Sequence, residues 1–218
     1  MKYVVIDICG TLYRSNTTFD FLYWRYGNNI KYKLLNVLYH WIIWRLINKV
    51  IWRVFHCDLT RMLAVRFLKG SSKEELYRDV EEFYDSFLLR RKNEKVFDIL
   101  AKFRDECDNH LILVSATLDF IAECVARRTM IPLFASTELK YKGNICMGQI
   151  KNDMLGNKIK VLSGIIPIYC CVSDDYLDIA LLKSCEKPIV VCYPSGKKKW
   201  QRLSRLHNIV FEVVNINN

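Results

Sequence analysis

The sequence predicts an α/β protein with a Rossmann-like, mainly parallel sheet and an all-α cap inserted after the first strand. Five short apolar runs rich in β-branched residues are predicted strands: Tyr3–Ile6, Leu111–Val114, Ile168–Val172, Ile189–Cys192 and Ile209–Val214. From Leu111 onward, helix-like stretches separate these runs, which is the pattern of βαβ units. Between Phe19 and about Phe103 no such run occurs, so this region is expected to be helical.

These elements divide the chain of 218 residues into two predicted parts. Residues 1–15 and 90–218 are expected to form the α/β core, and residues 16–89 the helical cap. The helices predicted within the core are Asp119–Arg128, Lys158–Gly164, Leu177–Ser184 and Lys198–Leu206. About half of the residues are apolar, which is enough for one domain with a large insertion.

The formal net charge of +10 predicts anionic partners, namely phosphate esters, anionic lipid or nucleic acid. Nucleic acid is the weakest of these choices, because no zinc-finger, RNP or helix-turn-helix signature is evident. The basic run Lys197–Arg202 is typical of a solvated helix start. The nine cysteines lack metal-ligand spacing and are expected to be reduced thiols. Since no secretory signal is evident, the protein is predicted to be cytoplasmic, either in solution or at the inner face of the membrane. The oligomeric state cannot be predicted.

Asp7 ends the first apolar run and opens the sequence DICGTLY. A carboxylate where a buried strand stops is placed as α/β folds place their reacting groups. Such a carboxylate can attack phosphorus and form an aspartyl-phosphate, which divides one displacement into two easier steps. Asp7 is therefore the candidate nucleophile. The alternative is an Asp that caps the turn through Gly10.

Three further features lie where a site at the carboxyl ends of the strands needs them. Ser115 follows Leu-Ile-Leu-Val and can hold a phosphate oxygen, or else cap a turn. Lys158 can neutralise a transferring phosphoryl group, or be a solvated helix residue. With Asp7, the carboxylates of Asp174, Asp175 and Asp178 make an oxygen-only site of the kind Mg²⁺ prefers, or else cap a helix.

In this order the motifs resemble those of the haloacid dehalogenase superfamily, specifically its phosphoserine-phosphatase-like subfamily. DICGTLY resembles the first motif, DxDGTL, and LILVSAT the second; GNKIKVL resembles the third, and SDDYLDIALL the fourth. The resemblance implies that Asp7 is the nucleophile and that phosphate is bound by Lys158 and by the residues Gly10, Thr11, Ser115 and Ala116. It also implies Mg²⁺ as cofactor, held by Asp7, Asp174 and the backbone carbonyl of Cys9. Asp178 is expected to position Lys158 or the metal shell.

Cys9 is the main departure from the family pattern. The phosphatases of the family carry a second Asp at this position, which protonates the leaving oxygen and later activates water. A thiol with a pKa of about 8.5 is a poor base at neutral pH, and general acid–base assistance contributes roughly 10²–10⁴ in rate. Cys9 therefore occupies a catalytic position with a different chemistry, while its carbonyl remains available to a metal.

The predicted cap contains the apolar segment Leu34–Phe55, interrupted by polar and basic residues. On a helical wheel Arg45, Lys49 and Arg53 form a basic stripe beside an indole-rich apolar remainder, as suits a helix at a membrane interface. The alternative is a cap helix packed on the core or on a second subunit. A looser resemblance, resting on this cap and on the segment Leu155-Gly156-x-Lys158, is to the phosphatidylglycerophosphatase C family of the same subfamily.

The function predicted from the sequence is a Mg²⁺-dependent phosphomonoester hydrolase that acts through an aspartyl-phosphate on a small or lipid-linked phosphate, with possible peripheral membrane contact through Leu34–Phe55. The alternative is a catalytically weakened scaffold that serves as a membrane- or partner-binding module, with Cys9 as the mark of decay.

Overall fold

In the computed structural model of the chain, which describes residues 2–105, 109–162, 164 and 167–216, seven strands form one sheet. The strands are β1 (Lys2–Ile6), β2 (Asn109–Leu118), β3 (Leu133–Lys142), β4 (Ile145–Asn152), β5 (Ile168–Ser173), β6 (Cys185–Cys192) and β7 (Glu212–Asn215). Their order across the sheet is β4-β3-β2-β1-β5-β6-β7. All neighbouring pairs are parallel except β3 and β4. The predicted α/β class with a mainly parallel, Rossmann-like sheet is confirmed.

Two strands were not predicted, and one was predicted too early in the chain. β3 and β4 form an antiparallel hairpin at one edge, joined through Gly143 (φ +58°) and Asn144. Both strands mix polar and apolar residues, so they lack the apolar runs that predicted the other strands. A Gly-Asn pair between alternating residues is nevertheless a hairpin signal. The prediction of a last strand at Ile209–Val214 is wrong at its start, because β7 begins at Glu212 and Val210 is 91% exposed.

Between β1 and β2 the described chain forms six α-helices: α1 (Thr17–Tyr26), α2 (Ile30–His40), α3 (Ile42–Phe55), α4 (Leu59–Val65), α5 (Lys73–Phe83) and α6 (Glu94–Asp105). At several helix starts, a side chain accepts a hydrogen bond from a backbone N–H group that has no partner within the helix. Asn16 caps α1, Asp58 caps α4, and Ser72 forms a reciprocal capping box with Glu75 at α5. The helical insertion was correctly predicted, whereas the limits 16–89 for the cap stay a prediction.

The segment Leu34–Phe55 is two helices rather than the single amphipathic helix that the sequence suggested. α2 ends at His40, and Trp41 is extended, with φ −69° and ψ 132°, before α3 begins at Ile42. The break allows both helices to contact α4. In the part of the chain that the structure describes, no helix combines the length and the apolar character needed to cross a bilayer.

Within the described residues, four more α-helices follow β2: α7 (Asp119–Arg128), α8 (Lys158–Val161), α9 (Ile179–Lys183) and α10 (Lys197–His207). α8 is shorter than the predicted helix Lys158–Gly164, of which residue 163 lies outside the described residues. A 3₁₀ turn at Tyr176–Asp178 begins what was predicted as one helix, Leu177–Ser184.

Apolar residues cover both faces of the sheet because successive strand residues point to opposite sides. On β1, Val4 and Ile6 belong to the larger core, which continues into the cap, and Val5 belongs to the smaller core on the other face. Cys170 and Cys171 of β5 divide in the same way, as predicted for a strand. β1 is thus enclosed on both faces from Val4 to Ile6, and the residue after it lies at the centre of the sheet's carboxyl edge.

Candidate active site

Asp7 directly follows β1, the central strand of the sheet, and its side chain is almost fully buried. Its N–H donates to the Val172 carbonyl at 3.0 Å, which continues the pairing of β1 with β5 by one residue. Since β2 and β5 are the two neighbours of β1, residues at their carboxyl ends lie beside Asp7. This topology explains why motifs separated by more than a hundred residues meet at one place.

Lys158 is held between two buried carboxylates. Its Nζ lies 3.0 Å from Asp7 Oδ1 and 2.6 Å from Asp178 Oδ2. Asp178 also accepts a hydrogen bond from Ser173 Oγ at 2.5 Å. Burial alone would lower the pKa of Lys158, but the charges of Asp7 and Asp178 together raise it above its ordinary value. Lys158 is therefore a buried cation, not the solvated helix residue of the alternative interpretation.

The carboxylate of Asp7 is only partly satisfied by its neighbours. Burial raises the pKa of Asp7 to about 6, although the charge of Lys158 opposes this shift. Oδ1 is ion-paired with Lys158, but within the described residues no hydrogen bond of acceptable geometry reaches that atom. A buried carboxylate in this condition is poised to bind a cation or to react.

Asp174 follows β5 and packs against the turn after Asp7. Thr11 Oγ1 donates to Asp174 Oδ1 at 3.2 Å and accepts from the Asp174 N–H at 3.0 Å. Gly10 has φ +66°, and a Cβ atom there would lie 2.1 Å from Asp174 Oδ2, so only glycine permits this approach. The hydroxyl of Thr11 thus fixes Asp174; the predicted contact of Thr11 and Gly10 with phosphate stays a prediction.

The donor set at this position fits magnesium. Burial and the charges of Asp7 and Asp175 raise the pKa of Asp174 well above its ordinary range. The buried carboxylates of Asp7 and Asp174 therefore repel each other when both are ionised. A hard divalent cation removes that conflict. The described residues contain no group of three or more His, Cys, Asp or Glu side chains that could hold a metal. Asp7 and Asp174 would therefore supply two ligands, with main-chain carbonyl, water or phosphate oxygens as the others.

Asp175 and Asp178 have different positions from Asp174, although all three follow the same strand. The Asp175 carboxylate accepts from the Leu177 N–H at 2.9 Å and so caps the 3₁₀ turn. Asp178 is buried against Lys158. Helix capping, the alternative considered for these acids, therefore applies to Asp175.

The side chain of Cys9 lies beside the site, partly buried, in a chain of short contacts. Its Sγ is 2.7 Å from Thr17 Oγ1, which in turn is 2.5 Å from Thr117 Oγ1. Burial and the nearby charge of Asp7 raise the pKa of Cys9 above its ordinary value. The thiol consequently stays protonated at neutral pH, and it cannot act as the carboxylate that the family pattern has here.

Ser115 and Ala116 lie where β2 continues past the end of β1. Between Val114 and Leu118 the register with β3 shifts, so this part of β2 is irregular. Ser115 is fully buried, accepts from the Thr117 N–H at 3.4 Å, and makes a hydrogen bond to Asp7 that opposes the rise of its pKa. The Ala116 carbonyl accepts from Thr137 Oγ1 at 3.1 Å.

A cavity of about 600 Å³ opens over these groups, between the core and the helices inserted after β1. Among its lining residues are six of the predicted site residues: Asp7, Cys9, Gly10, Ala116, Lys158 and Asp174. Thr11, Ser115 and Asp178 are buried behind them. The cavity is large enough for a phosphorylated small molecule.

Several residues of the site were not predicted from the sequence. Tyr193 donates from its hydroxyl to the Gly10 carbonyl at 2.7 Å, and Asn93 donates from Nδ2 to the Thr11 carbonyl at 3.0 Å. Both hold the turn after Asp7 from distant segments. No local pattern distinguishes them, because their role depends on where the chain brings them.

Arg61 on α4 is the most deeply placed charge from the inserted helices. It lines the cavity with its side chain 5% exposed, and it donates to Thr137 Oγ1 at 2.8 Å, to Asp153 and to the Ala116 carbonyl. These partners belong to β2, β3 and the chain after β4. Arg61 thus ties the insertion to the core at the wall of the cavity.

Solved structures share this fold at low sequence identity. A protein of unknown function from Bordetella pertussis Tohama I has a TM-score of 0.69 and 18% identity over 98% of each chain. A phospho-aspartyl intermediate analogue of phosphoserine phosphatase has a TM-score of 0.60 and 15% identity over 91% of this chain and 90% of that one. Cytosolic 5'-nucleotidase IIIB bound to cytidine has a TM-score of 0.62 and 11% identity over 99% and 80%.

Such identities establish a common fold and no more. No curated protein sequence matches the chain at a significant level. The family model described as haloacid dehalogenase-like hydrolase matches residues 4–183. This range includes Asp7, Ser115, Lys158 and Asp174, together with the whole helical insertion. The match covers most of the 218 residues, and the chain therefore belongs to the haloacid dehalogenase-like hydrolases.

Proposed function

We propose that this protein is a Mg²⁺-dependent phosphomonoester hydrolase that forms an aspartyl-phosphate on Asp7. The observation that carries the proposal is the buried Asp7 carboxylate, paired with Lys158 at 3.0 Å at the floor of a cavity of about 600 Å³. A carboxylate nucleophile, a fixed cation beside it and an enclosed space above it are the parts that phosphoryl transfer needs. The substrates proposed are small or lipid-linked phosphate monoesters.

In the first step an Asp7 oxygen attacks phosphorus, and the bond from phosphorus to the ester oxygen breaks. The leaving oxygen takes a proton from solvent, and the phosphoryl group remains on the Asp7 oxygen. Lys158 balances the negative charge of the phosphoryl oxygens, and Asp178 holds Lys158 in place. In the second step water attacks phosphorus and gives up a proton to solvent, the bond between the Asp7 oxygen and phosphorus breaks, and inorganic phosphate leaves.

Magnesium, when bound by Asp7, Asp174 and the Cys9 carbonyl, would supply positive charge for the phosphoryl oxygens. Thr11 and Gly10 keep Asp174 against the loop for this purpose. Ser115 and Ala116 lie beside Asp7 and are proposed to bind the remaining phosphate oxygens.

The predicted cytoplasmic location stays a prediction.

The neutral thiol of Cys9 cannot protonate the leaving oxygen as efficiently as a carboxylic acid. Hydrolysis is consequently expected to favour esters whose leaving group departs without a proton. A scaffold with weakened catalysis is the second candidate function, and the Cys9 thiol bonded to Thr17 is the observation that favours it. Turnover of an activated aryl phosphate distinguishes the two candidates.

The test is release of phosphate from an aryl phosphate by the full chain, with and without Mg²⁺. Wild-type protein is expected to turn over with Mg²⁺, and Asp7→Asn to lose turnover while keeping its fold by circular dichroism. Asp175→Asn is the matched control, because it removes a carboxylate from the same cavity that serves as a turn cap. Mass spectrometry should find the trapped adduct on Asp7; an adduct on Ser115 or a cysteine overturns the assignment.

A further inference from the structure

The outer face of α3 is apolar and exposed. We use this name for Ile43, Leu46, Ile47, Val50 and Val54, which are between 43% and 66% exposed. Their spacing of three and four residues puts them on one side of the helix. None of the fourteen residues of α3 is buried. A contiguous apolar face of this kind marks an interaction surface.

The opposite side of α3 is already occupied by the protein. Trp44 Nε1 donates to Thr60 Oγ1 at 2.8 Å, and Asn48 Nδ2 donates to Asp58 Oδ1 at 3.0 Å. Asn48 Oδ1 also accepts from the Leu59 N–H at 2.8 Å. These contacts fix the rotation of the helix about its axis, so the outer face is held toward solvent.

Basic residues border the outer face, and acids are absent from the surrounding sequence. Arg45, Lys49 and Arg53 are exposed and four residues apart, and they form a stripe between the inner side and the outer face. Residues 21–57 contain six Lys or Arg and no Asp or Glu. The partner that complements this surface therefore combines an apolar interior with negative charge.

α2 and the residue that joins it to α3 also expose apolar side chains. Leu34 and Val37 are 66% and 57% exposed, and Trp41, between the two helices, is 59% exposed. Indole rings are enriched where apolar and aqueous phases of a membrane meet. The exposed apolar area is therefore a feature of both helices rather than of one frayed element.

We propose that the outer face of α3 docks on the surface of an anionic lipid bilayer. The helix lies in the plane of the interface, with its apolar side chains among the acyl chains and Arg45, Lys49 and Arg53 at the level of the headgroups. At 1.5 Å per residue a helix of this length spans about 21 Å, which is too short to cross the hydrocarbon layer.

A second copy of the chain complements this surface less well than anionic lipid does. Two copies packed through the same face would bring their basic stripes together, and no acid in residues 21–57 is available to pair with them. Like charges across an interface oppose association. An anionic bilayer pairs the basic stripe with headgroup charge and the apolar face with acyl chains, so this repulsion does not arise.

The docking surface is connected to the wall of the cavity. α3 holds Asp58 and Thr60 through the bonds given above, and Asp58 and Arg61 line the cavity. A bilayer bound at α3 is thus one helix away from the site. Docking does not depend on catalysis, so it is testable whatever reaction the site performs.

The experiment is sedimentation of the full chain with vesicles of phosphatidylcholine, with or without phosphatidylglycerol. Binding is expected only with phosphatidylglycerol and is expected to weaken with salt. Replacement of Arg45, Lys49 and Arg53 by Gln should weaken partitioning by roughly 10- to 100-fold. Replacement of Lys197, Lys198 and Lys199 by Gln, which changes the net charge equally on α10, should leave it nearly unchanged. A variant with Ile47→Ser and Val50→Ser should also lose binding.

Three results would overturn the proposal. The first is a wild-type protein that does not sediment with anionic vesicles. The second is an equal loss in the α10 control, which would show attraction by net charge alone. The third is a wild-type protein that forms a dimer by light scattering and does not bind vesicles, while the variant with Ile47→Ser and Val50→Ser is a monomer. Asp7→Asn should bind as the wild type does, so failure of docking and failure of catalysis are told apart.

Discussion

At the scale of single residues, Cys9 has the largest consequence for the chemistry of the site. The residue lies two positions after Asp7, it is bonded to Thr17, and the buried environment keeps its thiol neutral. The rest of the loop is intact, since Gly10 and Thr11 still hold Asp174. The protein thus keeps the residues proposed as nucleophile and metal ligands but has a thiol at the position of Cys9.

Cys9→Asp should increase hydrolysis of alkyl phosphates, by up to ~10²–10⁴ if the carboxylate is well placed, because it adds general acid catalysis. Aryl phosphates should gain little, since their leaving groups depart without a proton. Steady-state kinetics on a series of esters with graded leaving-group pKa measures the difference. A flat dependence in the wild type would show that another group already supplies the proton.

Asp174→Asn should stabilise the metal-free protein and remove its response to Mg²⁺. Burial raises the pKa of Asp174 above its ordinary value of 3.8, so the folded state disfavours the charged form, and stability falls as pH rises above that value. The amide avoids this cost at neutral pH, and the gain should vanish below about pH 4. Thermal melts at both pH values, with and without Mg²⁺, measure it.

Asp175→Asn is again the matched control for Asp174. Its carboxylate caps a 3₁₀ turn, so the variant should keep the thermal response to Mg²⁺. Equal loss of the response in both variants would mean that the metal site is misplaced. Mg²⁺ affinity of Asp174→Asn should fall by more than the roughly 10–100-fold that loss of an outer-sphere partner produces.

At the scale of elements, the β3–β4 hairpin joins part of the helical insertion to the core. Gly70 N–H donates to the Cys146 carbonyl at 2.9 Å, and the Cys146 N–H donates to the Ser71 carbonyl at 2.9 Å. These backbone bonds join the chain before α5 to β4. Arg61 adds a buried charge contact from α4 to the same side of the core. The hairpin is therefore the support on which part of the insertion rests.

Arg61→Gln should destabilise the protein by about 1–3 kcal/mol, because it removes the Arg61 hydrogen bond to the Ala116 carbonyl and leaves the Asp153 carboxylate without its cation. The loss of stability should be smaller than for a fully buried ion pair, since the Asp153 side chain is 27% exposed. Urea unfolding measures the change. Arg66→Gln removes an exposed arginine at the end of the same helix and is expected to have little effect; comparable losses would show that the Arg61 contacts contribute no stability.

At the scale of the whole molecule, the cavity lies between two parts of the chain that only the folded state brings together. A ligand that binds there therefore stabilises the folded protein by mass action. Thermal stability with site ligands thus reports on the integrity of the complete cavity.

Mg²⁺ with a beryllium fluoride mimic of the phosphoryl group should raise the melting temperature of the wild type by about 5–10 °C at a hundred times the dissociation constant. Asp7→Asn should lose this increase, because the mimic is expected to bind at the Asp7 carboxylate. Differential scanning fluorimetry measures both. An increase of the same size in Asp7→Asn would show that the ligand binds elsewhere.

The sequence by itself determined the fold class and the place of the candidate nucleophile. Apolar runs and motif spacing are local properties, and they sufficed to put Asp7 and Asp174 at strand ends and to identify the helical insertion. Ser115 was predicted to follow its strand, but it lies in the irregular part of β2, which continues to Leu118. The structure then brings these residues and Lys158 together, because β1 lies between β2 and β5.

Only the tertiary structure decided the rest. The β3–β4 hairpin is stabilised by cross-strand pairing, and its strands lack the long apolar runs that predicted the others. Arg61 and Tyr193 belong to the site through contacts with distant segments. The outer face of α3 also depended on the fold, because the wheel of a helix shows which residues share a side but not which side the protein covers. Each of these properties arises from pairs of segments, and no single segment contains it.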